Sequence, residues 1–71
     1  MTVNGWKVED HSDWITTPCV WLRKDTKWGD EILIEIEAQD VSVEMNDING
    51  NIWFEIPIDL INEAQKKLRN K

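Results

Sequence analysis

From Ile32 onward, apolar and polar residues take turns. Ile32, Ile34 and Ile36 fall on one side of the chain, and Glu31, Leu33, Glu35 and Glu37 on the other. That period of two belongs to a half-buried strand, and β-branched side chains suit its pleated face. After Ala38-Gln39 the alternation resumes, with Val41, Val43 and Met45 inward and Asp40, Ser42 and Glu44 outward. A short loop between the two runs pairs Ile36 with Val41 and Ile34 with Val43, which keeps both faces in phase. Asn49-Gly50 then predicts a two-residue hairpin, because both turn positions need positive φ. Centred there, the turn sets Met45 against Phe54 and Val43 against Ile56, with Ile52, Phe54 and Ile56 on the inner face. The pattern predicts a three-strand meander over residues 31–56.

The period changes after Pro57. Leu60, Ile61, Ala64 and Leu68 form one stripe of an amphipathic helix over residues 58–69. Pro57 sits where a missing N–H does little harm, and Asp59 is an N-cap or a first-turn acid. Acids at the start and Lys66, Lys67, Arg69 and Lys71 at the end complement the helix dipole.

The first thirty residues carry a weaker pattern. Thr2–Glu9 reads as a strand with Trp6 and Val8 facing in, and residues 10–13 as a turn. Residues 14–23 have strand composition, with Pro18 confined to an edge, a strand start or a bulge. Cys19–Leu22, apolar at four consecutive positions, is expected to be covered on both sides. Residues 24–29 read as a polar loop containing Trp28. The fold class is α+β: an antiparallel meander of four to five strands, at most curled into a small half-open barrel, with one C-terminal helix. All 71 residues belong to one domain, and a chain this short buries only about 60% of its unfolded surface.

Charge sharpens the picture. The chain carries a net −6, and residues 30–63 contain ten acids and no base. Such a segment repels phosphate backbones and anionic lipid, and attracts basic partners. The single cysteine and the lack of an apolar leader or membrane-length run point to a cytoplasmic protein. Few alanines and many Ile, Asn, Lys, Asp and Glu suggest an AT-rich genome, fitting a phage or mobile-element accessory protein.

Catalytic constellations fail on inspection. Asp10, His11, Ser12 and Asp13 have triad residue types, but neighbours in sequence do not form a nucleophile–base–orienter geometry. One His and one Cys do not make a zinc site. Residues 47–51 resemble a calcium loop, yet Gly50 stands at the fourth position and Ile58 where the bidentate Glu belongs. Cys19 lies in an apolar run, as a buried inert thiol does. Three scattered glycines form no phosphate-binding loop. No catalytic residue, metal or cofactor is expected.

Two features survive. The first is an acidic outer face carrying Glu35, Glu37, Glu44 and Glu55 around Trp53. The second is tryptophan itself, five in 71 residues. Trp6 and Trp21 are assigned to the core, Trp53 to the acidic face, and Trp28 beside Arg23, Lys24 and Lys27. The resulting expectation is a non-enzymatic protein-binding module, an inhibitor or decoy of a basic or nucleic-acid-binding protein. The alternative is a site for a nucleotide-like anion built from Trp28, Arg23, Lys24 and Lys27. The strand carrying Pro18 is expected to be blunted against pairing. A homodimer would use an open strand edge or the segment holding Trp6 and Trp14, not the Glu-rich face.

Overall fold

The computed structural model describes residues 2–26, 31–45 and 54–70. Within them the alternating segments become strands β1 (Thr2–Val3), β2 (Trp6–His11), β3 (Cys19–Asp25), β4 (Glu31–Ile36) and β5 (Val41–Met45), followed by α1 (Ile58–Arg69). Each strand pairs antiparallel with its sequence neighbours, so the sheet order is β1-β2-β3-β4-β5. The sheet is an open meander and does not close into a barrel. No helix among the described residues is long and apolar enough to cross a membrane.

Register assigns the faces. Val8, Leu22, Ile34 and Val43 stand in one cross-strand row, and Val20, Ile36 and Val41 in the next. Cross-strand partners share a face, so these residues form the inner one, and the pairings Ile36–Val41 and Ile34–Val43 are as the alternation predicts. The helix lies on this face over the expected span. Ala64 and Leu68 are buried with Trp6, Val20, Leu22, Ile32, Ile34 and Ile36, and Leu60 and Ile61 pack beside them. Three polar ties fix the helix. Gln65 Nε2 and Arg69 Nε donate to the carbonyls of Glu37 and Ala38, and Lys67 pairs with Asp10 on β2. Asp59 is a first-turn acid rather than a cap, since Pro57 occupies the N-cap position.

Four expectations need correction. The first strand is two: Asn4 and Gly5 take φ of 52° and 86° and turn the chain, so that Val3 pairs with Trp6. Residues 10–13 are only half turn, since Asp10 and His11 close β2. Trp21 is not core, because β3 alternates and buries Val20 and Leu22 on the other face. Pro18 immediately precedes β3, outside the ladder, so β3 is paired on both sides rather than blunted.

The third strand of the predicted meander is also absent where it can be judged. Phe54–Pro57 are not in a strand. Phe54 instead sets its ring edge-on to Trp6, 6.0 Å between centroids. Trp6 is on β2, three strand spacings of about 4.8 Å from β5, so Phe54 cannot also pair with Met45. Asn49-Gly50 and Ile52 lie outside the described residues.

Candidate protein-binding face

The outer face of the sheet is built from the positions that alternate away from the helix. One cross-strand row reads Glu9, Trp21, Glu35 and Ser42, and the next Lys7, Arg23, Leu33 and Glu44. His11 pairs with Cys19 at the end of this face. A turn after β2, held by the Trp14 N–H donating to the His11 carbonyl at 3.2 Å, brings Trp14 back over the sheet. Its indole stacks on the His11 ring at 4.2 Å between centroids and 28°. Trp21 meets both edge-on, 4.6 Å from His11 and 5.6 Å from Trp14. The three rings therefore form one cluster, and Trp14 remains 43% exposed.

Carboxylates surround it. Trp21 has Glu9 on one neighbouring strand and Glu35 on the other. Glu9 is engaged: its carboxylate is 3.4 Å from His11 Nε2 and 3.4 Å from Arg23 Nε. The Arg23 guanidinium also lies 5.3 Å from the Trp21 ring centroid and 3.9 Å from Glu31. This arrangement sets a guanidinium between a ring and two carboxylates, so cation–π attraction and ion pairing act together, while its buried Nε makes no hydrogen bond among the described residues. Glu35, Glu37 and Glu44 make no ion pair among the described residues. Cys19 is buried beside them. Burial pushes its thiol up, and the nearby charges of Glu35 and Glu37 add to this against a hydrogen bond from Trp21. It is therefore a neutral thiol at physiological pH.

The structure regroups the residues predicted from sequence. Glu35 and Glu44 share the outer face, and Glu37 follows just beyond β4 near Cys19. Glu55 does not join them. It lines a recess with Asn4, Trp6 and Lys24 instead of sharing the acidic face with Glu35 and Glu44. Trp53 lies outside the described residues. So do Lys27 and Trp28 of the anion-site alternative, whose remaining members diverge. Arg23 points outward into the carboxylates, whereas Lys24 stands 5.5 Å over the Trp6 ring on the inner face. Adjacent strand residues face opposite sides, so Arg23 and Lys24 cannot share one ligand. Sequence reading missed the ring cluster. The signal was the two-residue spacing of His11 from Glu9 and of Trp21 from Cys19, which places them on one face and is visible only once β2 and β3 are in register.

A second concavity lies at the far edge of the inner face. The helix leaves open a groove of about 690 Å³ floored by Val8, Val20, Leu22 and Ala64 and rimmed by Asp10 and Lys67. Asp10 accepts from the Lys67 ammonium and from the Ser12 N–H at 2.8 Å. Lys67 first and Ser12 second hold its carboxyl well below the usual carboxylate range. A carboxyl depressed by folding adds stability above its unfolded pKa of about 3.9 and loses that contribution as pH falls through its folded value. Asp10→Asn should therefore lower stability at pH 7, by under about 1 kcal/mol because both partners are largely solvated. Urea titrations of the two proteins should differ equally at pH 7 and pH 5 and converge below pH 4. A gap that widens in acid would contradict the pairing.

Compared with models of known protein families, with curated proteins and with solved structures, the chain finds no match.

Proposed function

We propose that the protein is a non-enzymatic binding module that docks a basic segment of another protein on its outer sheet face. One observation supports this reading above the others: a ring cluster of His11, Trp14 and Trp21 sits beside Glu35 and Glu37, with Glu44 farther along the same face, and none of these carboxylates has an ion-pair partner among the described residues. A partner lysine or arginine would complete with Glu35 and Trp14 what Arg23 already makes with Glu9 and Trp21. The net charge of −6 would speed the encounter and fix its orientation. Exposed tryptophan supplies the area that binding hot spots need. The role of inhibitor or decoy, and the phage-like setting, belong to the same proposal.

The test is selection of peptides from a random display library on the folded protein. Enriched peptides should be rich in Lys and Arg. Trp14→Ala and Glu35→Lys should each weaken them at least tenfold, with Trp14→Ala reaching about 30-fold for a hot-spot residue near 2 kcal/mol. Circular dichroism should stay unchanged, because both side chains lie off the core. Acidic or neutral winners, or winners indifferent to both variants, would refute the reading.

A further inference from the structure

The two edges of the sheet differ. β1 is two residues long, too short to template another strand, which is a common way of protecting an edge. β5 is five residues long, every one of them exposed, and among the described residues nothing pairs with its outer side. Its inner-face side chains are apolar yet uncovered: Val41 is 42% exposed, Val43 46% and Met45 43%. These residues share cross-strand rows with Ile36, Ile34 and Ile32, which are fully buried. Among the described residues, the apolar layer thus runs past the helix and stops at an edge. It has neither lysine nor proline there to discourage pairing.

We propose that β5 pairs antiparallel with β5 of a second copy, joining two sheets into one around a two-fold axis at Val43. The sequence of the strand selects this register. Apolar residues must meet apolar residues, so odd positions face odd ones. Centring on Ser42 sets Glu44 against Asp40 of the second copy, and centring on Glu44 sets it against its own counterpart. Like charges directly opposite are destabilising. Centring on Val43 avoids both: Val41 meets Met45, Ser42 meets Glu44, and Val43 meets Val43. One uncovered apolar row then becomes two in contact, in the self-matching arrangement that a two-fold interface requires. The outer face described above stays open, so this assembly presents two binding faces and does not depend on the proposed partner.

Sedimentation equilibrium on the full chain should give twice the chain mass at micromolar concentration, and Val43→Lys should return it to one with its circular dichroism retained. Val43→Cys should form a covalent dimer on mild oxidation, since facing Cα atoms lie about 4.5–5.5 Å apart, within disulfide reach. Glu44→Cys should not, because its two copies are offset by two residues along the strands. Wild type serves as the control for buried Cys19. A strictly monomeric chain at about 100 μM, its edge taken up by its own residues, overturns the proposal. So does a dimer that cross-links through position 44 and not 43.

Discussion

Trp6→Ala should remove a large share of the fold's stability. The indole is 2% exposed and is the largest ring in the core. It lies edge-on to Phe54 and under the Lys24 ammonium, so its loss uncouples the start of β2 from the segment leading into the helix. Truncating a buried Trp costs about 3–5 kcal/mol. A domain of this length has only roughly 4–11 kcal/mol in total at 0.05–0.15 kcal/mol per residue. Urea denaturation followed by circular dichroism gives the difference directly. A loss under about 1 kcal/mol would mean that the Trp6 pocket is not part of the core. Trp14→Ala provides the contrast, since an exposed indole should change stability little.

Ile34→Ala is expected to cost about 2–5 kcal/mol. Ile34 is fully buried at the centre of the inner face, flanked by Leu22 and Val43 on the neighbouring strands. Ile34→Val removes one methylene group and should cost only about 0.5–1.5 kcal/mol. The midpoint should therefore fall in two graded steps while the denaturant slope stays constant. Equal losses for the two variants would show that the site collapses around the smaller side chain.

Why some elements were legible and others not follows from how far each signal reaches. The strands at Ile32–Ile36 and Val41–Met45 and the helical stripe from Leu60 to Leu68 write their period into adjacent residues, and they fold as that period predicts. Asn4-Gly5 carries the same turn chemistry as Asn49-Gly50, but the strand before it, β1, is only two residues long, so no alternation announced a hairpin. Phe54 and Ile56 alternate well enough for a strand. What displaces Phe54 is Trp6, nearly fifty positions away in sequence, and no local pattern reports such a partner. The candidate site was half legible for the same reason. Glu35 and Glu44 follow from alternation, whereas joining His11, Trp14 and Trp21 needs the β2–β3 register and the turn after His11.

The meander order also determines how the chain assembles in time. Each strand pairs with the one before it, so every rung closes a short loop, and the entropy of closure grows only slowly with loop length. Such hairpins can form one after another, in the manner of topologies dominated by local contacts. The helix is the exception. Its tie from Lys67 to Asp10 spans 57 positions and that from Arg69 to Ala38 spans 31. Until it docks, Ile32, Ile34 and Ile36 face water. The helix is thus the latch of the fold: strands formed earlier remain reversible until α1 closes over them.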